Sequence, residues 1–272
     1  MISWRLIDTG PLDGPANMAL DEALLTCFDK DRSQPLLRLY GWDPPALSVG
    51  RFQDAAAALK LELCEEEKVP VVRRMTGGGI IYHAQELTYS IVCAPGHIGG
   101  AAGVKEGFRR LCAFLLGTYG KLGLEASFAV DLNPDGERLG ARTAFCFAGK
   151  EEFDIVVQGR KIGGNAQRRV NGAILQHGSI PLVSRVQHGL RYLKEPAPGA
   201  AAAVSLTELG IAVEPIVLKQ TLVESFQERL GVTLKAQPPA KAELEAAAQL
   251  ETAKYRNATW NLEGRLPLEM KK

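Results

Sequence analysis

The 272-residue sequence has no surplus charge of either sign: 32 Lys and Arg stand against 31 Asp and Glu, for a net charge of +1. That balance argues against a nucleic-acid coat or a polybasic membrane patch. No apolar run approaches the ~18 residues that a spanning helix needs. Residues 1–8 lack a basic region followed by an apolar stretch, so no signal peptide is expected. Histidine is scarce, at four residues, and no two stand at chelating spacing, so no metal is expected. The five cysteines are odd in number, widely spaced and never paired as C-x-x-C. A disulfide framework and a zinc knuckle are therefore not expected, and the reducing cytoplasm is. What is present is ordinary for a globular chain, with 46% hydrophobic and 23% charged residues. The length suits one large domain, or one domain with a small appendage.

Asp13-Gly14-Pro15 opens a helix whose apolar stripe is Ala16, Leu20, Ala23, Leu24, Cys27 and Phe28. Residues 36–40 and 46–49 read as strands split by Pro44-Pro45. A second helix is expected from Asp54 to about Lys68, ended by Pro70. Strands are expected over 71–74, 80–82 and 87–93, with a glycine triplet between the first two and a loop over 96–103. The clearest helix follows, with Val104, Phe108, Leu111, Cys112, Leu115, Leu116 and Tyr119 on one face. Residues 153–163 read as a hairpin turning at Gln158-Gly159, and 173–182 as a further strand. A linker-like stretch at 196–203 precedes a helix over 215–230. Pro238-Pro239 is expected to end the core, leaving a catalytic domain over 1–235 and a C-terminal helical extension over 236–272. Strands joined by short turns, with helices between, predict a mixed α+β sheet.

Three segments could carry chemistry. In Arg73-Arg74-Met75-Thr76-Gly77-Gly78-Gly79, three glycines suit a place where a ligand approaches the backbone closely, with two arginines to hold an anion or a carbonyl. A hairpin tip with solvated arginines fits equally. The spacing is not that of a P-loop. Lys161 follows a tight turn and precedes Gly163-Gly164. It reads as a partly desolvated anchor or as the wet face of a hairpin. Gln176-His177-Gly178-Ser179 lies within an apolar strand, where polar groups need partners or a cavity. Among the thiols, Cys27, Cys93 and Cys112 fall on apolar stripes, and Cys64 adjoins an acidic run. On its own context Cys146 also reads as core.

Taken in order, Arg73-Arg74-x-Thr76-Gly77-Gly78-Gly79-x-x-x-His83, Gly159-Arg160-Lys161-Ile162-x-Gly164-Asn165-Ala166-Gln167 and Gln176-His177-Gly178-Ser179-Ile180 resemble the lipoate–protein ligase and octanoyltransferase family. Asn17-Met18-Ala19-x-Asp21-Glu22 matches the family's start, and the likeness spans about residues 1–230. Cys146-Phe147 ahead of the Gly-Arg-Lys hairpin resembles the cysteine-dependent octanoyltransferase branch. Met75 and Ala84 depart from what the family commonly carries there.

The resemblance implies an α/β (α+β) fold with a mixed sheet, of the biotin/lipoate ligase type and class II aminoacyl-tRNA synthetase-like. It implies Cys146 as nucleophile and Lys161 as its activator and carbonyl contact. Arg73, Thr76, Gly77, Gly78, Gly79, His83, Gly163, Gly164, Asn165, Gln176, His177 and Gly178 would form the substrate pocket. The implied reaction takes octanoyl from acyl carrier protein, through a Cys146 thioester, to a lysine of a lipoyl domain such as that of the glycine cleavage H protein. It needs no cofactor. ATP and magnesium would enter only if the chain were an ATP-dependent lipoate–protein ligase. An amidotransferase between lipoyl domains and a non-catalytic acyl-binding subunit would fit the same blocks. Neither nucleic acid nor membrane is an implied partner. Arg109-Arg110 and Arg168-Arg169 are candidates for a basic patch facing an acidic carrier.

Overall fold

The computed structural model describes residues 2–100, 103–132, 151–197 and 203–267. Ile2–Leu12 form strand β1. Asp13 caps helix α1 (Gly14–Thr26) by accepting the Ala16 N–H at 2.9 Å, with Pro15 in the first turn. Strands β2 (Leu36–Trp42) and β3 (Ala46–Val49) lead to short helices α2 (Ala55–Ala58) and α3 (Leu61–Glu66). Strands β4 (Val71–Arg73), β5 (Ile81–His83) and β6 (Glu86–Cys93) precede the long helix α4 (Val104–Lys121). Strands β7 (Ala126–Phe128), β8 (Ile155–Val157), β9 (Arg160–Lys161), β10 (Gly164–Val170) and β11 (Ala173–Pro181) follow, then helix α5 (Val186–Leu190). Helix α6 (Pro215–Leu230), strand β12 (Val232–Ala236) and helices α7 (Lys241–Leu250) and α8 (Ala258–Asn261) complete the order.

The main sheet runs β10-β11-β6-β2-β1-β12. Its β1 pairs in parallel with β2 and β12, and the other pairings are antiparallel, so the sheet is mixed as expected. Helices α4 and α6 cover one face, and α1 and α7 the other. Neighbouring apolar residues therefore point to opposite cores: Leu37, Ile91 and Ile174 to the α4 side, Leu36, Val92 and Leu175 to the α1 side. Burial on both faces explains why these strands read as continuous apolar runs. Each fully buried Leu or Phe contributes roughly 1.5–3 kcal/mol. Leu111, Phe114 and Leu115 on α4 are of this kind.

Two smaller sheets flank the main one, β4-β3-β5 and β7-β8-β9. The β8–β9 hairpin turns through Gln158 and Gly159 at φ 50° and 72°, the paired left-handed residues of a type I′ turn. Gly163, at φ 81°, lies between the hairpin and β10.

Three expectations need correction, and β1 is a strand for which no expectation stands above. The helix expected over 54–68 breaks at Leu59, which is extended and bridges Leu193, while the Lys60 N–H donates to Tyr192 O at 2.8 Å. Tertiary pairing there overrides helix propensity. Cys27 does not join the core: α1 stops at Thr26, and the exposed Cys27 is its C-cap. The core does not end at Pro238-Pro239. Glu243 on α7 clasps Arg5 at 2.6 and 2.7 Å, and Tyr255 and Trp260 are buried against Met18, Ala19 and Val72. Among the described residues, no helix is long and apolar enough to cross a membrane, and no three metal-ligating side chains cluster.

Candidate active site

A cavity of about 710 Å³ opens between the main sheet, the β3–β5 sheet and the β8–β9 hairpin. This lies in the range of small-molecule sites. One wall is backbone. Arg74, one residue beyond β4, donates to Ser48 O (2.9 Å), Ser48 Oγ (2.7 Å), Gly77 O (3.0 Å) and Gly79 O (2.9 Å). The guanidinium thereby holds the glycine turn. Gly78 has φ 96°, and a Cβ on Gly50 would sit 2.0 Å from Gly78 O. Two bare backbones thus meet where the turn borders the cavity.

The expected pocket residues Gly77, Gly78, Gly79, His83, Gly164, Asn165, His177 and Gly178 line the cavity, together with Lys161. His83 stacks on Trp42 at 3.8 Å and bridges Ser48 Oγ (2.6 Å) and Glu86 Oε1 (2.7 Å). Burial acts to raise the Glu86 carboxyl, but His83, Thr88 and Ser179 together hold it below the usual carboxylate range. His177 bonds Thr76 Oγ1 at 2.7 Å and faces Asp21 Oδ2 at 3.6 Å. Burial lowers the His177 pKa, and Asp21 opposes only part of that. The Lys161 ammonium meets Asp154 Oδ2 at 2.7 Å, and the same carboxylate accepts the Glu151 N–H at 2.7 Å. A cation is therefore fixed in direction at the cavity wall.

Four expected pocket residues lie elsewhere. Arg73 does not line the cavity. Its buried guanidinium donates to the carbonyls of Gly50, Arg51, Gln53, Trp260 and Leu262, tying the 50–53 turn to the C-terminal segment. Thr76 sits behind His177. Gly163 packs where a Cβ would fall 2.1 Å from Ser179 O. Gln176 turns towards α4, accepting from Gln167 and donating to Cys112 Sγ at 3.2 Å. Cys146 lies outside the described residues.

Sequence reasoning missed Asp154 and Asp21. Each had a signal, a carboxylate placed among apolar residues of a strand or helix stripe. It also missed the apolar lining from Phe52, Val104 and Phe108. Burial raises the thiols of Cys64 to about 11 and Cys93 to about 12, and pushes Cys112 higher still. Cys27 is raised as well, by partial burial and then by Glu243.

Gly178 has no room for a side chain. A Cβ there would lie 2.1 Å from Asn165 Oδ1, 2.8 Å from the Tyr89 ring and 2.9 Å from Gly164 O. Gly178→Ala is expected to cost about 2 kcal/mol and to displace the Tyr89–Asn165 hydrogen bond. Thermal denaturation checks this, and an unshifted midpoint would contradict it.

The family model of the lipoyl protein ligase A/B catalytic domain matches residues 13–227. Octanoyltransferase LipM of Kyrpidia tusciae is 37% identical to this chain, over 96% of it and 99% of its own length. Octanoyltransferase LipM of Bacillus subtilis (strain 168) is 33% identical, over 95% and 98%. A crystal structure of lipoate-protein ligase A bound with ATP superposes with a TM-score of 0.84 at 23% identity, covering 97% of this chain and 100% of that one. The lipoate protein ligase of Thermoplasma acidophilum reaches 0.80 at 22%, over 98% and 100%. The mixed-sheet α/β architecture is therefore that of the lipoate ligases, and with these near full-length relatives the chain belongs to the lipoyl protein ligase A/B catalytic-domain family.

Proposed function

We propose that this protein is an acyltransferase of lipoate biosynthesis that moves an octanoyl group from acyl carrier protein to a lysine of a lipoyl domain, such as the glycine cleavage H protein. The observation that carries the reading is the Lys161–Asp154 pair, set in a cavity with apolar and bare-backbone walls, in a chain akin to octanoyltransferases over nearly its whole length. The apolar walls suit an uncharged alkyl chain, and a fixed ammonium suits a carbonyl oxygen gaining charge.

Cys146 is the proposed nucleophile. The four described thiols are all raised above their ordinary pKa, which makes them poor thiolates. Its thiolate attacks the thioester carbonyl. A new C–S bond forms, and the carrier's sulfur leaves and takes a proton. The neutral amine of the acceptor lysine then attacks the Cys146 thioester. The C–N bond forms, the amine gives up a proton, and Cys146 leaves as thiolate. The donor thioester supplies the driving force, so neither ATP nor a metal enters the scheme. The cytoplasm is the compartment where both protein substrates would be met.

Intact mass after incubation with octanoyl-acyl carrier protein tests this. One octanoyl adduct is expected, labile to hydroxylamine and absent in Cys146→Ala. Transfer to the lipoyl domain should fall at least ~10³-fold in that variant. No wild-type adduct, or one that survives Cys146→Ala, overturns the reading. ATP- and magnesium-dependent octanoylation at full rate in Cys146→Ala would make the protein a ligase instead. Loading from octanoylated H protein, and not from carrier protein, would make it an amidotransferase.

A further inference from the structure

The two arginine pairs singled out in the sequence separate in the structure. Arg109 is matched by Asp131 in a bidentate pair at 3.1 and 3.0 Å, and Arg110 by Glu106 at 2.7 Å. Arg168 and Arg169 have no carboxylate partner among the described residues. Arg168 also lies beside a third arginine. Its Nη1 donates to Met75 O at 2.8 Å, while the Arg51 N–H donates to the adjacent carbonyl, Thr76 O, at 2.8 Å. Arg51 has no carboxylate partner among the described residues either. Its guanidinium lies 4.3 Å from the Trp260 ring centre, and the Lys254 ammonium lies 3.9 Å from the same ring. Glu22 matches Lys254 at 2.6 Å, which leaves Arg51 and Arg168 without a paired carboxylate among the described residues. The Arg168 Nε–H is buried with no acceptor among the described residues. Burial and then the nearness of Arg168 make the Arg51 guanidinium less basic than usual.

The cluster sits at the cavity's edge. Phe52 and Gln53, next to Arg51, line the cavity, and so do Ala166 and Gln167, next to Arg168. We propose that Arg51 and Arg168 form an anion site at the rim of the cavity, which takes the phosphodiester of the donor's thiol-bearing arm. This rests on the octanoyl transfer proposed above. An octanoyl group has no charge to offer, and its carbonyl belongs at Lys161. A phosphopantetheine arm carries its phosphate many bonds from the sulfur. In this arrangement the thioester is set at Lys161 and the phosphate at the rim. Guanidinium groups are planar, permanently charged forks matched to phosphate oxygens. The donor's phosphate then offsets the excess positive charge at the rim.

The test uses two small donors, octanoyl-phosphopantetheine and octanoyl-pantetheine, which differ by the phosphate alone. In the wild type, KM for acyl-enzyme formation should be roughly tenfold lower for the phosphorylated donor, as expected for one or two charge-assisted hydrogen bonds. Arg168→Gln should raise KM for that donor by about the same factor while kcat changes little, which erases the preference. Arg51→Lys and Arg168→Lys, which keep the charge, should retain most of it. Inorganic phosphate should compete with the phosphorylated donor, and added salt should weaken the preference. Equal wild-type KM values for the two donors would overturn the site, even with octanoyl transfer intact. So would an equal rise for both donors in Arg168→Gln. In a parallel arm with octanoate, ATP and magnesium, a rise in KM for ATP alone would assign the site to a nucleotide phosphate and overturn the donor assignment. Absence of acyl-enzyme with every donor would instead strike down the octanoyl-transfer reading, and this site with it.

Discussion

Arg73→Met is expected to lower the unfolding free energy by about 4 kcal/mol. The Arg73 side chain is 1% exposed, and the carbonyls it serves come from two places far apart in sequence. The shortest of these bonds is to Gln53 O, at 2.6 Å. Methionine fills most of the volume but donates nothing, so the carbonyls of Gly50, Gln53, Trp260 and Leu262 lose a partner they cannot all replace with water. The loss should be local before it is global. Limited proteolysis should cut the variant between α7 and Pro267 while the main sheet stays protected. A denaturant midpoint equal to that of the wild type would contradict the assignment of Arg73 as a clamp.

Asp21→Ala should cost a similar 3–5 kcal/mol, because it leaves a buried cation unpaired. Arg38 is 0% exposed and donates to Asp21 Oδ1 at 2.8 Å, while Ser90 Oγ and Tyr40 OH donate to the same carboxylate at 2.7 and 2.9 Å. Burial acts to raise the Asp21 carboxyl, yet Arg38, then His177 and Ser90, bring it from 3.8 down to about 2. The folded pKa is the lower one, so the associated stability is fully present above the unfolded value and is lost as pH falls through about 2. Its size is on the order of 2 kcal/mol. Asp21→Asn should remove that acid dependence, so the gap in stability between wild type and variant should narrow between pH 4 and pH 2. A gap that stays constant over that interval would argue that Asp21 does not titrate as an ion pair with Arg38. The same substitution should raise KM or lower kcat, since His177 loses the carboxylate that faces it.

Local chemistry makes some elements readable in the sequence. The Gln158-Gly159 turn and the helical stripe of α4 are specified by residues close in sequence. The glycine triplet left a backbone wall and a hairpin tip equally open, and what decides between them is the distant Gly50, where a Cβ would sit 2.0 Å from Gly78 O. What could not be read depends on distant partners. Strand β1 is extended because β2 and β12 flank it, and its alternation is blurred by burial on both faces. Leu59 leaves the helix because Leu193 and Tyr192 offer it a bridge. Arg73 and Arg74 are neighbours of one type, and nothing local distinguishes the one that holds the glycine wall from the one that holds the C-terminal segment. The acidic residues of the site escaped for a related reason. Asp154 acquires its role only through Lys161 across the hairpin.

The link from Arg51 Nη1 to Gly264 O spans 213 positions, and the Arg73 contacts to Trp260 and Leu262 are nearly as long. A nascent chain that has emerged from the ribosome only as far as α6 holds Lys161, the glycine turn and most of the sheet. It lacks the segment that seats the 50–53 turn beside the pocket. The 50–53 wall of the cavity is therefore seated only after the residues around Gly264 have been released.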